Sequence, residues 1–193
     1  IAIVSDGLWW VCQGGVLTQG SDADLPAPIY VVEMDGYFVY LIADGRVFVS
    51  GLNDGLTIDP LAFGKADKVA DGLSAGAVRG DDLILSGPRS TEFHHDVGTT
   101  PWPFQRVASI DFGCFAAGSM LPVNVIKDES SFSTVIWAAT DKLGAYTGIM
   151  MLNGYSPLKI SPNWVDRLLQ AEIDPPSIRA YTRSHDGHVF YKI

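Results

Sequence analysis

Short apolar runs alternate along this chain with clusters of Gly, Asn, Asp and Pro. Ile1–Val4 ends at a Ser5–Asp6–Gly7 turn, and Leu8–Cys12 follows. Ile29–Met34, Tyr37–Ile42 and Arg46–Ser50 come next, separated by Asp35–Gly36 and Asp44–Gly45. The runs are rich in β-branched and aromatic residues, which suit a pleated, half-buried surface. Asp-Gly between two apolar runs signals a hairpin, because primed turns need positive φ at their centre. Gly51–Phe63, with Asn53–Asp54–Gly55 at its head and Asp59–Pro60 inside, reads as a loop.

The pattern then resumes. Ala75–Val78, Leu83–Ser86, Ser90–His95 and Phe104–Ile110 read as strands, then Thr134–Ala139, Gly148–Leu152 and Leu158–Ser161. Ile178–Thr182 and His188–Ile193 complete the set, joined by Ser184–His185–Asp186–Gly187. Only Pro162–Ile173 looks helical: Trp164, Val165, Leu168, Leu169 and Ile173 recur near 3.6-residue spacing. Ser161 would cap it, Pro162 would take its first position, and Asp174–Pro175–Pro176 would stop it. One theme returns: an Asp-Gly or Gly-Asp turn before an apolar strand, at Asp35–Gly36, Gly80–Asp81 and Asp186–Gly187. The reading is an all-β chain of propeller-like blades of short antiparallel strands with one short helix over 162–173. A sandwich lacks its signature here, since no Cys…Trp…Cys spacing is present.

Charge and size narrow the functions. Thirteen Lys and Arg stand against 22 Asp and Glu, a net charge of −9 in 193 residues. Phosphate binding by charge needs a basic surface, so a general nucleic-acid binder is disfavoured. Hydrophobic residues make up 47%, enough to build a core, which excludes a disordered chain. The longest apolar candidate for a membrane span, Val31–Ala43, is broken by Glu33, Asp35 and Gly36. The size fits a single domain over 1–193, and the strand-like end at His188–Ile193 reads as the truncated end of a longer chain. Cys12 and Cys114 read as two unrelated buried thiols rather than a framework.

Catalytic and metal signals are weak. His94 and His95 are adjacent on a strand and point to opposite faces, so at most one joins any site. His185 and His188 flank a hairpin turn with no third ligand in view. Most turn carboxylates sit where Asp favours the turn itself. No phosphate loop and no Gly-x-Ser-x-Gly elbow occur. No catalytic residue, cofactor or metal is assigned. Among the tryptophans, Trp137 and Trp164 read as core. Trp102, between Pro101 and Pro103, reads as the exposed one in a stiff loop that costs little entropy to order. Trp102, Phe104 and Trp164 are the candidate contact residues.

Several segments, in order, resemble the packaged-DNA stabilisation proteins of short-tailed phages, the tail hub or nozzle family. They are Ser50–Asp54 with Ile58–Phe63, Leu83–Phe93, Pro103–Arg106 with Gly113–Cys114 and Ser119, Asn153–Ser161, and Ala180–Tyr181 with Gly187–Tyr191. The likeness covers about residues 30–193, and the first thirty match nothing. It implies a β-propeller-like virion protein of the tail, made in the host cytoplasm, without enzyme activity. Such proteins form a ring under the portal and its adaptor, next to the tail needle, and help to retain the genome. No sequence-specific nucleic-acid binding and no membrane insertion follow. An acidic wall around a DNA passage would repel phosphates and keep the passage slippery. The rivals are a glycan-binding propeller, which needs an exposed aromatic, and a glycoside hydrolase, which needs two convergent carboxylates.

Overall fold

A computed structural model describes residues 1–127, 130–172, 174–186 and 188–193. Its strands form five antiparallel sheets in chain order. The first holds β1 (Ala2–Ser5), β2 (Leu8–Gln13) and β3 (Val16–Gln19). The second holds β4 (Tyr30–Met34), β5 (Tyr37–Leu41), β6 (Arg46–Gly51) and β7 (Asp54–Lys65). The third holds β8 (Ala75–Arg79), β9 (Asp82–Ser86), β10 (Thr91–Asp96) and β11 (Phe104–Ile110). The fourth has β12 (Phe112–Cys114) and β13 (Leu121–Lys127) end to end on one edge of β14 (Ser130–Asp141). β15 (Tyr146–Asn153) and β16 (Ser156–Lys159) follow on the other edge. After the helix α1 (Asn163–Gln170), β17 (Tyr181–His185) and β18 (His188–Lys192) make a two-stranded fifth sheet.

Turn chemistry builds the hairpins. Asp6 and Gly7 have φ of 51° and 75°, and Asp35 and Gly36 have 52° and 84°, the left-handed pair that a primed turn demands. The recurring turns fall at one structural place, between the first and second strands of the second, third and fifth sheets.

Packing is face to face. Successive residues on a strand point to opposite sides, and here both sides are apolar. From β5, Val39 and Leu41 meet Leu83 and Leu85 of β9. Tyr40 and the following Ile42 turn the other way, to Trp9 and Val11 of the first sheet. From β9, Ile84 faces Trp137 and Ala139 of β14. From β14, Ile136 faces Val165 and Leu169 of α1 and Val189 and Tyr191 of β18. The sheets are therefore successive layers with an apolar seam between each pair, the arrangement of a propeller-like all-β fold.

Sheets two to five share one orientation. Asp35 and Asp81, at the ends of β4 and β8, line one hollow, and Arg79 donates to the Gly154 carbonyl at 2.6 Å. At the other end the Cys114 amide donates to Gly87 and the Ala180 amide to Gly118. The first sheet is reversed. Its Gly7 turn meets Ala27, at the chain's entry to β4, while Cys12 and Gln13 share a hollow with Gly36 and Asn53.

The structure corrects several expectations. Gly51–Phe63 is largely strand β7, because Asp59–Pro60 sits in a bulge between the pairs Ser50–Ile58 and Phe48–Phe63, on an edge strand where proline is tolerated. β3, β12 and β13 escape the sequence reading. β13 does so because Pro122 interrupts the alternation of Leu121, Val123 and Val125. The helix runs over Asn163–Gln170, so the expected 162–173 is too long, and Ile173 lies outside the described residues, as does Gly187 of the last turn. Pro162, not Ser161, occupies the cap position, and no side chain caps the helix. Both cysteines are free. Cys114 is buried, which pushes its thiol up to about 12, whereas Cys12 is only half-buried.

Buried carboxylates tie loops to sheets. Glu92 is 2% exposed and accepts the Lys68 amide at 2.7 Å, with His94 Nε2 at 3.0 Å and Arg106 Nη1 at 3.4 Å. Asp82 is bonded to Arg79, His95 and Tyr155. His94 and His95 thus join different networks on opposite faces, as their adjacency requires. Burial pushes both carboxyls up, but their hydrogen bonds and cationic neighbours prevail and hold both below the ordinary values of 4.5 and 3.8.

Two outcomes follow. Trp137 is 1% exposed and its indole donates to the Gly113 carbonyl at 2.9 Å. Trp137→Ala should cost about 3–5 kcal/mol by urea unfolding, and a loss below about 1 kcal/mol contradicts its central place in that seam. A lowered carboxyl contributes stability that is present above its unfolded pKa and lost as pH falls towards the folded one. The unfolding midpoint should therefore be flat above about pH 5 and fall from about pH 4.5 downward. Glu92→Gln should make that acid limb shallower, and an unchanged limb would show that Glu92 does not drive it.

Candidate assembly surface

The three expected contact residues lie in two places. Trp102 sits in the loop between β10 and β11 and packs on β7, where Gly64 leaves room for it. A Cβ there would come within 2.4 Å of the indole Cε2. Its ring meets Phe104 edge-on at 5.3 Å, and Phe104 meets Tyr37 at 6.4 Å. Phe104 is 3% exposed and Trp102 is half-buried, so both close the seam between the second and third sheets. The stiff Pro-Trp-Pro loop thus turns its aromatic inward.

Trp164 behaves in the opposite way. It is 66% exposed and Leu168, one turn later, is 65% exposed, although the helical spacing suggests core for both. The helix spends Val165 and Leu169 on the fourth sheet, and its neighbouring face is left bare. Its position is fixed by a polar cluster. Asp166 takes hydrogen bonds from Ser161 at 2.5 Å and Tyr146 at 3.2 Å, and an ion pair with Lys159 at 2.6 Å. Burial raises the Asp166 carboxyl, but Lys159, Ser161 and Tyr146 together hold it below its usual range. Ser161 also accepts the Ile149 amide at 2.9 Å, which binds the helix entry to β15.

Beside the bare helix face lies a groove of about 860 Å³. Its floor is Ile136, Ile149 and Met151 of the fourth sheet, and its walls are α1 and β18. Among the described residues the fourth sheet is covered on this side by α1 and the two strands of the fifth sheet. At the opposite end of the stack, the outer face of the first sheet is also bare: Ile1, Ile3, Leu8 and Leu17 are exposed. The sequence signals neither surface, because each depends on which sheet follows which.

Carboxylate chemistry finds little footing. Glu92 and Asp82 are held in internal networks. Asp35, Asp81 and Asp96 surround a small open hollow beside His95. Among the described residues no group of three or more His, Cys, Asp or Glu side chains could hold a metal ion. Among the described residues no helix is long and apolar enough to cross a membrane.

The described residues thus form a stack of sheets with apolar side chains exposed on the first sheet and on α1. No curated protein matches the chain. The family described as bacteriophage P22 Gp10, beta-propeller, matches residues 1–193, so the likeness extends over the first thirty residues as well. The chain belongs to that family, the phage packaged-DNA stabilisation proteins.

Proposed function

We propose that this chain is a structural, non-enzymatic part of a phage tail that works by forming a ring beneath the portal and its adaptor. There it helps to retain the packaged genome and borders the tail-needle protein. Membership of the packaged-DNA stabilisation family carries this reading. The apolar side chains Trp164 and Leu168, exposed on one face of α1, are compatible with it, because exposed patches of this kind mark protein–protein contacts. The net charge of −9 is compatible with a passage that does not grip phosphates. Its energy would come from burial between protein surfaces, with no sequence-specific contact to DNA and no insertion into a membrane. The protein would be made in the host cytoplasm and end in the virion.

Electron microscopy of the purified protein, alone and mixed with portal–adaptor particles, checks the reading. Added density below the adaptor is expected, together with slower loss of DNA from the filled particles. Particles that neither bind the protein nor leak less DNA in its presence would end it.

A further inference from the structure

One turn of the fourth sheet is latched onto the third. Gly154 and Tyr155 join β15 to β16, with Asn153 paired to Ser156 on either side of them. Arg79, the last residue of β8, donates to the Gly154 carbonyl at 2.6 Å, and its guanidinium lies 5.5 Å from the centre of the Tyr155 ring. Phe93 of β10 meets the same ring at 4.9 Å. The Tyr155 hydroxyl donates to Asp82 Oδ1 at 2.9 Å and stands 3.1 Å from His95 Nε2. Asp82 is buried, and Arg79 Nε donates to its other oxygen at 3.1 Å.

The latched turn contains a reactive pair. The four asparagines, Asn53, Asn124, Asn153 and Asn163, are followed by Asp54, Val125, Gly154 and Trp164. Only Asn153 precedes a residue without a side chain, so only there is the next backbone nitrogen unhindered. The reaction open to such a pair is deamidation. The Gly154 nitrogen gives its proton to hydroxide and bonds to Asn153 Cγ. The Cγ–Nδ2 bond breaks, and ammonia leaves with a proton from water. The five-membered imide that results is opened by water at either carbonyl. One opening leaves an aspartate, and the other leaves an isoaspartate whose main chain is one methylene longer. Nothing is oxidised or reduced; one water enters and one ammonia leaves.

Solvent reaches both residues. Each is exposed, and a Cβ built on Gly154 would meet nothing within 4 Å. Among the described residues no backbone acceptor outside the strand pairing takes the Gly154 N–H. What the closed hairpin denies is geometry. Asn153 is the last residue of β15, and extended backbone carries the next nitrogen away from the side chain. The imide closes only if the backbone at Asn153 rotates, and the bonds from Arg79 to Gly154 and from Tyr155 to Asp82 oppose that rotation. We propose that Asn153–Gly154 is a deamidation site gated by this latch. The pair is inert while Tyr155 is seated on the third sheet and reacts when the turn lifts. The isoaspartate product cannot return, because its extra methylene no longer fits two residues between the paired positions 153 and 156, and its new carboxylate belongs to a turn that must dock on Asp82. The contact between the two layers is then lost for good in each molecule that reacts.

Mass spectrometry of proteolytic peptides tests it, by following the exchange of amide for acid in protein kept for days at mildly alkaline pH. In urea, Asn153 should react fastest of the four asparagines. In the folded parent its reaction should be slower by about 10²-fold or more, because the attacking geometry is denied. Tyr155→Phe keeps the ring on Phe93 and removes a hydrogen bond to a buried carboxylate, so it should speed the folded-state reaction about tenfold. Arg79→Lys loses the fork that joins Asp82 to Gly154 and should act in the same direction. Circular dichroism confirms that each variant is folded. Reacted parent should unfold at a lower midpoint than fresh parent, whereas Asn153→Gln should show neither the exchange at that position nor the fall. A folded parent that reacts as fast as the chain in urea, two variants that react no faster than the parent, or a reacted parent with an unchanged midpoint would each overturn the proposal.

Discussion

Everything in this architecture follows from a sheet too small to fold alone. A sheet of short strands buries little surface by itself, and an isolated hairpin is marginal in water. The chain answers by making the inner sheets apolar on both faces and pressing each against two neighbours. β9 shows the extreme case: all five of its residues are buried, with Leu83 and Leu85 facing one seam and Ile84 the next. Such a strand has no solvent side, and its stability belongs to the stack.

The same requirement explains where polar groups are allowed inside. A layer sealed on both faces cannot hydrate its connecting loops from within, so buried acids reach out and hold them. Glu92 fixes the Lys68 amide of the loop between the second and third sheets, and Asp71 fixes the Arg89 amide of the next turn. These bonds tie the connecting loops to the third sheet, and the lowered carboxyl of Glu92 is the one expected to weaken the fold in acid. Removing one partner would leave a buried group unpaired, which costs more than the bond itself contributes.

Legibility follows from this geometry. Hairpins over Asp35–Gly36 and Gly80–Asp81 could be read because turn chemistry is local. The strand at Tyr37–Ile42 could be read as a strand, but not placed, since an unbroken apolar run hides which residue faces which seam. β3 gave no signal because all four of its residues are exposed. β7 was obscured by a turn signal that proved to be a bulge. Trp102 looked exposed from its flanking prolines, yet Gly64, distant in sequence, makes a place for it. Trp164 looked buried from helical spacing, yet α1 packs Val165 and Leu169 on the fourth sheet and turns Trp164 away from it. The groove could not be read at all, being a gap between elements rather than a pattern within one.

The acidity of the chain is best understood from the same turns. Asp35 and Asp81 sit in hairpins at one end of the stack, and Asp186, at φ of 49°, caps the same hairpin of the fifth sheet. Asp is favoured there because its side chain tolerates left-handed backbone and bonds its own turn. Because the second, third and fifth sheets repeat this hairpin in one orientation, these carboxylates collect along one edge of the layers for reasons of local geometry. Net charge alone is therefore weak ground for a statement about DNA. What the repeat does create is polarity: the turns with Asp35, Asp81 and Asp186, beside Arg79, lie along one edge of the layers, and the loops at the other edge carry Arg46, Lys68 and Arg89 paired with Asp44, Asp111 and Asp71. A body with unlike ends can be oriented by its neighbours, and orientation is what a part of a tail needs from its surface.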